Sequence, residues 1–554
     1  MNQLSMKSIF RYILSFVCLI ALSTSNHAQV APNLGTVKNF VLFSADGAVT
    51  MNTSAFSIIT GDFGTGNPAT TSTGFGNVNG NQHDGDAIGL AAGADLLLAY
   101  NELNAMAPTL FPASAVLGNG DTLIKGIYEI KSVASLNNTL YLDAKGDANA
   151  VFIIQIQGAF SSSANAKVRL INGAMACNVF WKVEGKIDLA TGTYMVGTMI
   201  ANNDEIVMGS GDTLVGRAFS TTGAITINKL FAYMPLGCDV PVLTGPTAPP
   251  LGATACFSLF ATTGAVANTG VSTFTGDIGS NSTTAPTGFV AANVTGTIHL
   301  VADSATAQAA SDLALAYTYL DTMPVDIQLM FPAQFGNNLV LTPHTYLLDA
   351  ATTLIDTVVL NAQGNANAVF VIKINGALST SVNSRVKLIN GTQSNNVYWK
   401  VEGAVSINDN STFVGTVIVN NGALGSLNTG VNLKGRLLTT NGAIATTALV
   451  ITAGGIPSTG CGTGPLSLSS AQIDNASIII YPNPFTSTTT IRVMDASAQH
   501  NYVLKVYNAL GMEVQSLLLN TEETRFKSEQ TSGVYFYRVI DNGQLVQSGK
   551  LVVQ

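Results

Sequence analysis

One stretch of this sequence occurs twice. Asn367 to Thr447 repeats the pattern already laid down at Asn149 to Asn228. The second copy strings together short apolar runs: Val369–Ile374, Arg385–Ile389, Val397–Val401, Thr412–Val419 and Gly435–Thr439. Val, Ile, Phe and Thr fill the runs, and Gly, Asn, Ser and Asp separate them, which is strand chemistry. No long helical period survives. Pieces of roughly four to eight residues, about three per turn of chain, predict a β-solenoid in which each coil buries its apolar side against the next. Such a fold has flat, regular outer walls. The question of function becomes which wall binds, and what.

The duplication extends over residues 33–238 and 251–461. Thr60-Gly61-Asp62 recurs as Thr275-Gly276-Asp277, and Val179-Phe180-Trp181-Lys182-Val183-Glu184 as Val397-Tyr398-Trp399-Lys400-Val401-Glu402. The spacing between copies stays between 215 and 218 residues, as expected of a tandem duplication. Pro241 to Pro250, with Gly245, Pro246 and Pro249, reads as a stiff linker. Each copy interrupts its strands with one helix. The first runs from Asp86 to Met106 with Ile88, Leu90, Ala94, Leu97, Leu98 and Leu103 as its apolar positions, and Pro108 ends it. The second runs from Asp303 to Met323 with Ala307, Ala310, Leu313, Leu315, Tyr317 and Leu320, and Pro324 ends it. Asp303 and Ser304 suit an N-cap. Solenoid pieces flank each helix, so it is expected to lie along the solenoid and cover one wall.

Sorting the strands by phase gives three series. One carries Lys167, Arg169, Arg385 and Lys387 at alternating, outward positions. A second carries Lys182, Glu184, Lys400 and Glu402. The third is almost uncharged, and its outward residues are mostly Ser, Thr, Asn, Ala and Gly. In the first copy its candidates are Thr50, Asn52, Ser161, Ser163, Thr226 and Asn228, interrupted by Asp188, with Asp212 a second charge expected there. In the second copy they are Ser379, Ser381, Ser406, Asn408, Ser426, Asn428, Thr429 and Thr447.

Composition narrows the classes. Only 10% of residues are charged, and 24 Lys+Arg against 32 Asp+Glu leave a net charge of −8 with no basic run, which argues against nucleic acid as a partner. A mean hydropathy of +0.34 with patterned apolar residues argues against disorder. Lys7, Arg11 and the apolar run Tyr12–Leu22 read as a signal peptide over residues 1–28, too short to span a membrane, and no later segment is long and apolar enough to do so. Beyond it lie Cys177, Cys238, Cys256 and Cys461, an even count that favours disulfides in an exported chain. Three connectivities are possible. Cys177–Cys238 and Cys256–Cys461 are expected, because each pair stays inside one copy and Cys461 aligns with Cys238. With no CxxC or His pair near, no metal site is expected, and no cofactor.

Two resemblances rest on these residues. The copies resemble the ice-binding protein family built on a discontinuous right-handed β-helix with a helix alongside. Thr60-Gly61-Asp62, Gly74-Phe75, the run Gly146 to Phe152, Cys177 to Trp181 and Gly223-Ala224-Ile225 carry the match in the first copy. Thr275-Gly276-Asp277, Thr287-Gly288-Phe289, Thr295 to His299, Asn365 to Phe370 and Asn396 to Trp399 carry it in the second. Some family members place a Thr-Ala/Gly-X-Thr/Asn motif on the ice-binding face; Thr429-Gly430-Val431-Asn432 matches it and Thr191-Gly192-Thr193-Tyr194 is a near miss. Residues 480–554 are similar to the C-terminal sorting domain of the type IX secretion system, through Tyr481 to Phe485, Gly511 and Gly533 to Tyr537. Alternating runs there predict a small β-sandwich.

The resemblances imply a mainly β protein: signal peptide 1–28, β-helix domains at 29–240 and 251–462, linkers at 241–250 and 463–479, and a sorting domain at 480–554. They imply an ice surface and the type IX secretion machinery as partners, and a secreted or cell-surface location. The third series suits ice. Coils about 4.8 Å apart, with outward residues about 6.7 Å apart along a strand, make a two-dimensional grid. Thr and Ser supply hydroxyls, Thr and Ala methyls, and a charge would hold water in the wrong geometry. A cell-surface adhesin or glycan-binding module is the alternative. A solenoid lyase or hydrolase would need convergent carboxylates. Asp62 and Asp277 recur, but in turns where Asp is expected to cap its own backbone.

Overall fold

The computed structural model describes residues 30–51, 57–235, 237, 242–456, 478–493, 502–508, 512–528, 531–541 and 544–554. The proposed signal peptide, Asn52, Cys238 and Cys461 lie outside the described residues. Residues up to Cys461 form one compact unit and those from Gly462 another.

The first unit holds two β-helices of the same plan, each with three walls. In the first, one wall is a sheet of seven parallel strands, ordered Val49–Met51, Ile225–Ile227, Ile206–Met208, Ile187–Leu189, Phe160–Ser162, Ala134–Asn137, Val116–Gly118. The other two walls share a larger sheet, because Tyr194–Ala201 and Thr213–Ser220 run through both. Their bend falls at Gly197 and Gly216, stacked one above the other. A Cβ on Gly216 would stand 1.9 Å from the Gly197 carbonyl oxygen. Only glycine lets successive coils turn that corner so closely. Gly415 and Gly435 repeat the device.

The coil order explains the helix. Phe40–Ser44, Val49–Met51 and Ile58–Thr60 stack on the last coil, not the next in sequence: Leu42 pairs with Ala218, Thr50 with Thr226, Ile59 with Ala232. The chain must then cross to the far end before winding back. Helix α1, Ala87–Ala105, makes that crossing. Its 19 residues span about 28 Å, and seven stacked strands span about 29 Å. Helix α2, Ser304–Thr322, does the same in the second domain. Asp86 and Asp303 are the N-caps and Met106 and Met323 the C-caps; of the two predicted N-cap residues Asp303 serves, while Ser304 is the first residue of the helix.

The buried stripe of α1 is not the predicted one. Gly89, Ala92, Gly93, Leu96, Ala99 and Leu103 face the wall, whereas Ile88, Leu90, Leu97 and Leu98 are exposed. Small residues win because the wall presents Phe40, Phe43, Phe180 and Phe219, which fill the space between helix and sheet. Each fully buried side chain of this size contributes roughly 1.5–3 kcal/mol. The second series of charges is also placed differently from a solvent wall. Lys182 and Lys400 are buried beneath the helices. Lys182 donates to Asn104 at 2.7 Å and pairs with Glu184. Lys400 pairs with Asp321 at 2.6 Å and Glu402 at 2.7 Å. These ties lock each helix to its wall. Inside each barrel a buried tryptophan donates its indole N–H at 2.9 Å, Trp181 to Val196 O and Trp399 to Val414 O.

The C-terminal unit pairs Ile478–Tyr481, Thr488–Val493 and Glu523–Lys527 in one antiparallel sheet. Glu513–Leu519, Tyr502–Tyr507, Gly533–Asp541 and Gln544–Val553 form a second. Ile491, Leu504 and Val539 are fully buried in its core. It is the small sandwich expected. No helix among the described residues is long and apolar enough to cross a membrane.

Candidate functional site

The wall left bare by the helix and by the basic side chains is the seven-stranded sheet, and strand register decides which residues share its surface. In the second domain Thr353, Ser379, Ser406 and Ser426 pair on successive coils. Past a bulge at Gly425–Ser426, Ala445, Ala267 and Thr287 continue the column. Beside it run Ser381, Asn408, Asn428, Thr447 and Thr269, with Thr447 opposite Thr269. The rows are tied laterally. Thr353 and Ser379 hydroxyls lie 3.0 Å apart, Asn428 donates to Asn408 Oδ1 at 3.1 Å, and Thr269 and Thr447 hydroxyls are 3.0 Å apart. Inward, Leu378, Val405, Ile407, Leu424, Leu427 and Ile444 are buried, so the outer groups stand on a close-packed base. Ser426 and Thr447 are exposed; Ser379, Ser381, Ser406, Asn408 and Asn428 are half-buried. Thr429 is exposed at the rim, where its carbonyl accepts Asn410 N of the neighbouring coil at 3.0 Å.

The first domain carries the same column less cleanly: Val116, Ser135, Ser161, Asp188, Val207, Thr226, Thr50 and Thr73. Ser163 and Asn228 stand one position beyond their strands. Asp188 faces outward and pairs with Lys186 at 3.2 Å, which also reaches Glu205 at 2.8 Å. Glu205 above all, then Asp188, hold the Lys186 ammonium above its ordinary range. The matching positions of the second domain are Ala404, Ser406 and Ala423.

Asp212 is not on this wall. It is buried and accepts Thr193 N at 2.9 Å and Gly209 N at 2.7 Å, closing a turn between walls. Asp62 and Asp277 also differ from expectation. They accept from the next coil, Asn81 N at 2.8 Å and Thr297 N at 2.7 Å, not from their own turns. Each stands near a histidine that also holds a helix cap. His83 Nδ1 lies 2.7 Å from Asp86, and His299 Nδ1 lies 2.6 Å from Asp303. Ser135, Thr353, Thr73 and Thr287 lie outside the uncharged series read from the sequence, whereas Ala267, Thr269 and Ala445 lie on its strands without being among the candidates. For Ser135 and Thr353 the signal is the alternation at Ala134–Asn137 and Thr352–Ile355, one coil before the series begins.

Two walls of this kind, one in each repeat, coincide with what comparison finds. Residues 43–231 and 260–452 match the ice-binding-like family. The chain belongs to that family. Its second repeat keeps the uncharged column intact, and its first carries the family plan with charges inserted. The chain is 56% identical to an ice-binding protein from an Antarctic bacterium of the Flavobacteriaceae, whose crystal structure superposes with a TM-score of 0.74 over 76% of this chain and 98% of that one. It is 31% identical over 221 residues to an ice-binding protein of Nostoc sp., covering 40% of this chain and 80% of the relative. A Flavobacterium frigoris ice-binding protein is 28% identical, over 37% of this chain and 76% of that protein. Residues 479–554 match the secretion-system C-terminal sorting domain, so the chain is an export substrate of type IX kind, secreted or held at the cell surface.

Proposed function

We propose that the chain adsorbs to ice through the seven-stranded wall of each β-helix, and that the second domain contributes more. The observation that carries this is the uncharged column from Thr353 to Thr287, carried by parallel strands with one bulge at Gly425–Ser426 on a buried aliphatic base. A rigid grid of hydroxyls and methyls orders water without charge. The lateral hydrogen bonds between rows restrict rotamers before contact, so little side-chain entropy remains to be lost on binding. In the first domain Asp188 and Val207 interrupt the pattern, which supports the ranking. No catalytic role belongs to this reading. Asp62 and Asp277 are engaged with backbone N–H groups and with His83 and His299.

Disulfides Cys177–Cys238 and Cys256–Cys461 are part of the same reading. Cys177 and Cys256 are each disulfide-bonded, and the even cysteine count with each pair inside one copy supports these partners. Peptide mapping that joins Cys238 to Cys256 overturns this pairing.

The face is tested by Ser406→Tyr and Ser426→Tyr in the full chain, with Lys387→Tyr on the basic wall as control. Thermal hysteresis should fall sharply in the two Ser variants and hold in the control, while melting temperature stays near that of the parent. Full hysteresis in both Ser variants, with loss in the Lys387 variant, means another wall binds.

A further inference from the structure

The two β-helices are docked end to end, and the contact matches wall to wall. At the flat wall, the Asn77 side chain takes part in a reciprocal pair with the second domain. It accepts from Phe331 N at 2.8 Å and donates to Phe331 O at 2.8 Å. The cleft there is lined by Met51, Gly76 and Asn77 from one domain and by Gln334, Gly336 and Asn337 from the other. Met51 ends the first strand of one flat sheet, and Gly336 belongs to the last strand of the other. At the larger sheet, Asn79 is buried, donates to Thr342 Oγ1 at 2.9 Å, and lies 2.7 Å from the Tyr346 hydroxyl. Asn81 donates to Asp326 O at 3.0 Å. The linker is bound as well: Val369 N donates to Thr244 O at 2.9 Å, and Asn365 to Leu243 O at 3.1 Å. It is a strap lying on the second domain rather than a free spacer.

Part of this contact is written into positions where the repeats differ, although Asn77 has a counterpart in Asn293. Hydrogen bonding aligns Asn79 with Thr295 and Asn81 with Thr297, since each pair serves the same backbone donors and acceptors. It likewise aligns Tyr346 with Tyr128, Thr342 with Ile124 and Asp326 with Thr109. The free end of the first domain therefore lacks the Thr342 hydroxyl, and the free end of the second lacks the Asn79 and Asn81 amides. A head-to-tail contact left open would build a filament. Here the Asn79–Thr342 match occurs once per chain, which favours a contact that stops at two domains.

We propose that this junction fuses the two flat walls into one continuous ice-binding surface, so that both domains meet the same crystal plane as a single rigid body. With two separate walls matched across the contact, rotation about the solenoid axis is fixed, and the Thr73 edge of one flat sheet runs on to the Phe335 edge of the other. The proposal rests on the flat wall being the ice-binding face. It makes a prediction that flexibly joined domains would not. A bulky group on the weaker domain should lift both halves off the lattice, and loosening the junction should rescue the stronger half.

The test uses the full chain in four forms: Ser161→Tyr; the triple change Asn77→Ala, Asn79→Ala and Asn81→Ala; both together; and the triple change with Ser406→Tyr. Circular dichroism checks that both domains remain folded, and small-angle scattering checks that the triple change loosens the chain. Ser161→Tyr alone should raise the concentration needed to stop ice recrystallisation by at least about tenfold, a conservative threshold against the roughly 100-fold or more that two linked contacts can supply. Adding the triple change should return it close to that of the triple variant alone. If Ser161→Tyr costs no more than about twofold, or the triple change restores nothing, the walls do not act as one surface. If Ser406→Tyr has no effect in the loosened chain, the face itself is misassigned.

Discussion

Ser161 and Asp188 are paired on neighbouring coils of the first domain, as Ser379 and Ser406 are in the second. The same place in the two grids thus holds a carboxylate in one and a hydroxyl in the other. Asp188→Ser should raise thermal hysteresis of the full chain. Lys186 keeps Glu205 at 2.8 Å, and an exposed substitution of this kind changes stability by no more than about 0.5 kcal/mol. Unchanged or lower hysteresis counts against the charge being what weakens the first domain.

Gly435 marks the stacked corner of the second domain. A Cβ there would stand 1.9 Å from the Gly415 carbonyl oxygen. Gly435→Ala must push successive coils apart in a close-packed barrel, at a cost on the order of 3 kcal/mol or more. Calorimetry should show a clear fall in the melting temperature. A melting curve like that of the parent shows the corner to be compliant.

His299 links the Asp277 turn to the α2 cap at Asp303. The Asp277 carboxylate beside it, then Asp303, raise its pKa from the ordinary 6.5 despite burial. The folded state therefore holds the proton more tightly than the unfolded chain. This stabilisation is complete below the ordinary value and is lost as pH rises through the folded one. Denaturant midpoints should fall across that window, and His299→Gln should flatten the fall. An equal slope in the variant would place the dependence elsewhere.

Removing residues 479–554 should abolish release from the cell while leaving ice activity of the purified remainder intact. The match of that segment to a sorting domain carries the first half. Its own hydrophobic core carries the second, since Leu504, Val539 and Ile491 pack together in a cluster built from its strands. Fractionation and a recrystallisation assay on the truncated chain check both, and normal secretion of the shortened protein refutes the export role.

The sequence by itself determined the duplication, the strand and helix types, and the cap at Asp303. Those are local matters: side-chain alternation, turn residues and a capping carboxylate each act within a few positions. It also singled out Ser379, Ser406 and Ser426 at the centre of the uncharged column, because outward residues on a strand follow a period of two. Only the tertiary structure decided what burial does to that pattern. The exposed side of α1 is aliphatic and its buried side small, because Phe40, Phe43, Phe180 and Phe219 already fill the interface. Lys182 and Lys400 read as solvent charges until a helix covers them. Asp212 shares the repeat phase of the flat wall yet turns inward, because Thr193 and Gly209 need an acceptor there. The junction was invisible for the same reason. Asn77, Asn79 and Asn81 look like turn residues, and their partners lie about 250 positions away in the chain, brought close only when two finished barrels meet.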